Sequence, residues 1–164
     1  MVPLAITGKF VAIGAGLVRD EATVRSMSRS GAPRELLYGP AQYGVVFSFA
    51  TMFFWQSSAC LVALMTLCFG DAAAEIVGKS MGRTRLPWSR RKTFVGSAAF
   101  FAASVASSAG FAPVLLPASA AVLPLPQLAA VCAIVTLAES LCPDNIDNLV
   151  IFAVSTAASS WLLT

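Results

Sequence analysis

Two long stretches of the chain, residues 36–70 and 93–138, carry no charged residue at all. Each exceeds the roughly 20 apolar residues that one bilayer crossing needs. The polar positions fall between and beside these runs. An apolar stretch at about residues 2–18 comes first, interrupted only by Lys9. It resembles the apolar part of a signal peptide, but no basic region precedes it, so a cleavable leader is not expected. A polar segment, "RDEATVRSMSRSGAPREL" at 19–36, holds four Arg and three acids and is expected to form a short helix at a membrane surface. The first long run is too long for one helix. It breaks at "WQSS", residues 55–58, where small polar residues favour a turn, giving helices at about 37–55 and 57–78. A basic segment at 79–92 holds six of the eleven Lys and Arg residues and no acid. Beyond it, Pro113, Pro117, Pro124 and Pro126 predict a helix over 94–112, an irregular apolar connection and a shorter helix over 126–141. The acidic stretch "ESLCPDNIDN" (139–148) and a last helix over 149–164 complete the chain. The pattern predicts an all-α fold, a polytopic transmembrane bundle of about six helices, with residues 1–164 as a single membrane domain.

The order of these pieces has a topological consequence. A helical hairpin joins the segments at 19–36 and 79–92, so both open on one side, in keeping with the tendency of basic loops to stay together. Two more crossings return the chain to the same side at 139–148. All three charged segments are therefore expected at one membrane face.

Composition sharpens the class. Mean hydropathy is +0.78, and 57% of residues are hydrophobic against 12% charged, far from a water-soluble average of about half apolar and a quarter charged. The net charge of +3 is modest, and few aromatics accompany the basic residues, so a nucleic-acid partner is not expected. There is no histidine, which removes the usual general base and the commonest transition-metal ligand. The four cysteines form no CxxC pair and read as packing residues. Any metal would be a hard cation on oxygen ligands.

Within "CFGDAAAEIVGKSMG" (68–82), Asp71, Glu75 and Lys79 are spaced by four and share one helix face. A buried ionised carboxylate is costly, roughly 2.5–3.5 kcal/mol on insertion scales. A divalent cation offsets that cost, and Mg²⁺ characteristically takes one or two carboxylates plus phosphate oxygens. A plain ion pair with Lys79 or a loop Arg is the competing explanation. "GKS" at 78–80 is not a soluble phosphate loop, which would need Gly rather than Ala at position 73. Gly78 and Gly82 still allow backbone and Lys79 to approach phosphates. Arg83, Arg85, Arg90, Arg91 and Lys92 can clamp a polyphosphate or simply meet anionic lipid headgroups. Gly96 and Ser97 follow, at a position equally suited to close helix packing. Glu139, Asp144, Asn145, Asp147 and Asn148 add oxygen ligands at the same face. Two acidic clusters and one basic cluster suit phosphoryl transfer from a nucleotide, chemistry that depends on positioning and charge neutralisation. An ion-coupled carrier is the non-enzymatic alternative, but it would place its acids near the bilayer midplane.

These motifs resemble the phytol kinase branch of the polyprenol kinase family, which includes dolichol kinase. "ELLYGPAQYGVVF" (35–47) is similar to the family's segment before its central hairpin. "FGDAAAEIVGKSMGRTRLPWSRRKTFVGS" (69–97) and "AESLCPDNIDNLVIFAV" (138–154) are similar to its two later motifs. The resemblance implies an integral membrane kinase that uses CTP and Mg²⁺ to phosphorylate phytol, geranylgeraniol or farnesol, as in tocopherol synthesis. Carried over by motif are Gly70, Asp71, Glu75, Gly78, Lys79, Gly82, Lys92, Gly96, Ser97, Glu139, Asp147 and Asn148. The resulting expectation assigns catalysis to Asp71, Glu75 and Asp147. Nucleotide or phosphate binding falls to Gly78, Lys79, Gly82, Arg83, Arg85, Arg91, Lys92, Gly96 and Ser97. Metal binding falls to Asp71, Glu75, Glu139, Asp147 and Asn148. Expected partners are the lipid alcohol, the nucleotide and membrane lipids, with no protein partner assigned. Gly70–Asp71–Ala72 is closer to dolichol kinase than to the Gly-Asp-Gly of phytol kinases. Dolichol kinase-like and phosphatidate cytidylyltransferase-like activities are the enzymatic alternatives. A chloroplast membrane is implied by the resemblance, although no transit peptide is visible. Family members begin earlier, so a chain truncated at its N-terminus is expected.

Overall fold

The computed structural model describes residues 2–28, 30–89, 91–119, 122–143 and 146–163. Among these the regular structure is all helical, as the pattern predicts. The helices are α1 (Val2–Gly14), α2 (Glu21–Met27), α3 (Glu35–Tyr38), α4 (Pro40–Phe53), α5 (Ser58–Met65), α6 (Asp71–Met81), α7 (Phe94–Leu115), α8 (Leu125–Leu141) and α9 (Asp147–Leu162). Short α2 and α3 fall in the polar segment. A π-helical turn, Thr66–Gly70, joins α5 to α6 without a break.

Among the described residues, two helices are long and apolar enough to cross a membrane: Ser58–Met81, which is α5, the π turn and α6 together, and α7. The others are shorter than one full crossing of about 20 residues. The turn after α4 falls at "WQSS" as expected, with Gln56 in the left-handed region at φ 58° and the Ser57 hydroxyl capping α5 by accepting the Cys60 amide. The helix expected to stop at 112 instead runs to Leu115 with Pro113 inside it. So near the C-terminus, Pro113 removes only one late backbone bond, so the helix continues for its final residues.

The core lies where α5, α7, α8 and α9 meet. Val62, Leu67, Phe100, Leu128, Val131, Val135 and Ile151 are buried together there with Val46 of α4. Small polar residues fill the closest approaches. Thr66 and Ser155, both fully buried, lie 3.1 Å apart through their hydroxyl oxygens. Cys60 and Cys132 are buried, as expected of packing residues. At Gly70 an added Cβ would lie 2.4 Å from the Ser104 Oγ and 3.3 Å from the Phe100 ring. Gly70→Ala is therefore expected to destabilise the bundle by about 1–3 kcal/mol, and adding Ser104→Ala should restore most of that loss. Thermal unfolding in detergent measures both; equal melting of Gly70→Ala and the parent would contradict the close contact.

A separate small cluster, Ile13, Val24 and Leu36, fastens the 19–36 segment to α1. Asp20 caps α2 by accepting the Thr23 amide (2.9 Å) and hydroxyl (2.8 Å) and pairs with Lys9 of α1 at 2.7 Å. The Lys9 ammonium, then the Thr23 amide and hydroxyl, hold the Asp20 carboxyl well below its usual range. A carboxyl with a depressed folded pKa stabilises above its unfolded value and loses that contribution as pH falls. Docking of α2 should thus be complete at neutral pH and weaken as pH drops through about 4. Hydrogen exchange of the α2 amides, corrected for intrinsic rates, tests this, and Asp20→Asn should remove the acid dependence.

Candidate functional site

At one end of the bundle, segments far apart in sequence enclose a cavity of about 1040 Å³. Its walls come from the 19–40 region, α6, the 85–97 region, and the corner between α8 and α9. The three polar segments thus meet at one site.

α6 supplies the first wall. Asp71, Glu75 and Lys79 occupy one face, and all three line the cavity together with Ala74 and Gly78. Lys79 donates to Glu75 at 2.5 Å. That exposed pair spaced by four is worth only about 0.3–0.5 kcal/mol. The ion-pair explanation weighed above therefore describes one contact on this face but adds little stability.

The basic segment doubles back on itself between α6 and α7. The Leu86 amide donates to the Lys92 carbonyl (3.0 Å) and the Phe94 amide to the Thr84 carbonyl (3.2 Å), with Arg85 opposite Thr93 in an isolated antiparallel bridge. Leu86 is buried beneath this fold. Arg85, Arg91 and Lys92 reach the cavity; Gly82 and Arg83, expected to bind phosphate, are not among the residues that line it. Gly82 has a packing reason instead, since a Cβ there would sit 2.2 Å from the Gly78 carbonyl oxygen and 2.7 Å from Thr93. Gly96 and Ser97 line the cavity, and buried Gly96 also lets α7 approach α6 at Ala74 and Gly78. Gly96 thus serves the close packing expected of this position and also borders the cavity. Arg90, Asp144 and Asn145 lie outside the described residues.

Two contacts strap the basic segment to the end of α8. Trp88 donates its indole N–H to the Ser140 carbonyl at 3.1 Å. Lys92 pairs with the Glu139 carboxylate at 2.9 Å, the two side chains only 11% and 7% exposed, and also donates to the Glu139 carbonyl. Two residues expected to serve as phosphate and metal ligands are thus each other's counter-ions. Asp147 and Asn148, at the start of α9, complete this wall, with Asp147 accepting the Asn148 amide at 2.9 Å. Among the described residues no three Asp, Glu or Cys side chains converge as a metal cage. A cation held here would need ligands beyond the described carboxylates.

Sequence reasoning assigned no role to Met27, Ser30, Glu35, Tyr38 and Thr93, which also line the cavity. Glu35 accepts the Ser30 amide (3.1 Å) and hydroxyl (2.6 Å). Thr93 caps α7 by accepting the Gly96 amide at 3.1 Å. The available signals were the topology, which already put 19–36 on this side, and a Thr directly before an apolar run, a common helix start.

Sequence comparison finds proteins of one class: kinases named for phytol and farnesol. The chain is 43% identical over 104 residues to "Probable phytol kinase 2, chloroplastic" of Oryza sativa subsp. japonica, covering 63% of this chain and 34% of that protein. It is 42% identical over 103 residues to "Farnesol kinase, chloroplastic" of Arabidopsis thaliana (60% and 34%). It is 34% identical over 101 residues to "Phytol kinase 1, chloroplastic" of the same plant (61% and 33%). The resemblance to the phytol kinase branch, read above from the motifs, is thereby shown. The chain spans about a third of the length of these curated relatives. No family model matches the chain, and no solved structure does.

Proposed function

We propose that the chain is an integral membrane kinase domain, a polytopic bundle with all three charged segments at one membrane face. It transfers the γ-phosphate of CTP to a membrane-dissolved isoprenoid alcohol such as phytol, geranylgeraniol or farnesol. The observation that carries this reading is the cavity in which acids of α6 and α9 face cations of the basic segment, beside the similarity to phytol and farnesol kinases. Those relatives' names also support a chloroplast membrane.

Each wall then has a task. Lys79, Arg85 and Arg91 neutralise and orient the triphosphate, with Gly78, Gly96 and Ser97 leaving it room to approach. Asp71 and Glu75, with Asp147 and Asn148, are the residues that would hold Mg²⁺, which supplies charge neutralisation across the phosphate oxygens when bound. The donor set fits: a site offering a few carboxylates rather than a closed cage is the kind Mg²⁺ shares with phosphates. Asp147 or Asp71 accepts the proton of the attacking hydroxyl. Lys92 and Glu139 position the basic segment rather than touch the phosphates.

Membranes containing the chain, given CTP labelled at the γ- or the α-phosphate together with phytol, farnesol, dolichol, diacylglycerol and phosphatidate, test the proposal. γ-Label should pass to a short isoprenoid alcohol. α-Label passing to phosphatidate would instead identify a cytidylyltransferase, and transfer to none of the lipids would overturn the kinase reading for this chain.

A further inference from the structure

A second cavity, about 260 Å³, runs along the seam between α1 and α4. Pro3, Ile6, Thr7 and Phe10 of α1 face Tyr43 and Phe47 of α4 across it. Pro40 lines both this groove and the charged cavity, so the two spaces adjoin at the first residue of α4. The two hydroxyls in its wall are already engaged: Thr7 donates to the Pro3 carbonyl at 2.7 Å, and the Tyr43 oxygen lies 2.6 Å from the Cys68 sulfur. Among the described residues no polar group in the groove is left to recognise a polar ligand, so its wall suits hydrocarbon. The floor is tight, since a Cβ at Gly44 would fall 2.1 Å from the Thr7 Oγ1.

We propose that this groove receives the carbon chain of the acceptor alcohol nearest its hydroxyl, and that Ile6, Phe10, Tyr43 and Phe47 select which alcohols are used. The inference rests on the kinase reading. A narrow groove of this volume takes one chain, as an isoprenoid alcohol has and a phospholipid does not. A chain lying in it ends at Pro40, so its hydroxyl enters the charged cavity. The Tyr43 contact with Cys68, three residues before Asp71, ties the groove wall to the acidic face of α6. From Pro40 to Phe47 the helix rises about 10 Å, enough for about eight bonds of an extended chain at about 1.2 Å each. The groove therefore reads the first part of a prenyl chain and leaves the remainder in the bilayer. Turnover should rise from five-carbon prenol to ten-carbon geraniol, whose two prenyl units fill about eight bonds, and level off at fifteen-carbon farnesol and twenty-carbon phytol.

Ile6 is 47% exposed on α1, so a larger side chain there fills the groove without disturbing the core. Ile6→Trp should lower the ratio of kcat/KM for farnesol over prenol at least tenfold. Val11→Trp, an even larger enlargement at an exposed α1 position outside the groove, should leave the ratio within twofold. An unchanged ratio in Ile6→Trp, or an equal fall in Val11→Trp, would overturn the assignment. Photolabelling with a fifteen-carbon isoprenoid alcohol bearing a diazirine near its hydroxyl supplies a readout independent of turnover. Label should enter α1 and α4 at the groove, be displaced by farnesol, and resist displacement by phosphatidylcholine. Label absent from these helices, or displaced equally by both lipids, would sink the groove proposal. Labelling as expected without phosphate transfer would uphold the groove while removing the kinase reading.

Discussion

Asp71→Asn is expected to cut γ-phosphate transfer by about 10²–10³ while the protein still folds and inserts. Asp71 lines the charged cavity on α6, where it would hold Mg²⁺ or take the hydroxyl proton. Loss of one preorganised electrostatic group at a reacting centre typically costs that much in kcat. Because Asn keeps the shape and can still hydrogen bond, melting in detergent should change little. Single-turnover assays with saturating CTP and farnesol, at several Mg²⁺ concentrations, separate the two roles. A ligand role predicts partial recovery at high Mg²⁺; a proton-accepting role predicts a flat response. Activity equal to the parent chain at all Mg²⁺ concentrations would remove Asp71 from the chemistry.

The second large effect falls on stability. Lys92→Met removes the ammonium paired with the Glu139 carboxylate in a site where both side chains are nearly buried. Breaking a buried pair from one side typically costs about 3–5 kcal/mol, a large fraction of the 5–15 kcal/mol that holds an ordinary domain. The variant should melt well below the parent, and the basic segment should become protease-sensitive because the Lys92 contact with α8 is lost and that of Trp88 remains. Glu139→Leu added to Lys92→Met should recover most of the lost stability, since two apolar groups need no partner. It should not restore the full rate if the strap positions Arg85 and Arg91. Equal melting of Lys92→Met and the parent would show that the pair contributes nothing.

Much of the architecture was legible because apolar runs and their interruptions map directly onto helices and turns. The break at residues 55–58, the start of α7 after Thr93 and the irregular connection after it all follow from local composition. The convergence of Asp71, Glu75, Lys79, Arg85, Arg91, Asp147 and Asn148 followed from counting crossings. What could not be read was pairing across long separations. Lys92 and Glu139 are 47 residues apart, and each alone looks like a ligand; only their positions show that they satisfy one another. The same holds for Glu35, whose segment appeared to be a surface helix until α1 and Leu36 fixed it as a cavity wall. Pro113 misled in the other direction, because proline is a strong breaker only where several later hydrogen bonds depend on the residues it disrupts.

The π-helical turn between α5 and α6 is a place where chain length and side-chain aim come apart. Such a turn is one residue accommodated inside an otherwise α-helical run. A gain or loss of one residue within Thr66–Gly70 can be taken up there as wide or ordinary winding. A single-residue insertion within α5 would swing Asp71 and Glu75 by about 100° relative to the core-facing residues before it. The turn therefore acts as a phase adjuster: the packing half and the charged half of one continuous helix can each keep its own rotational setting.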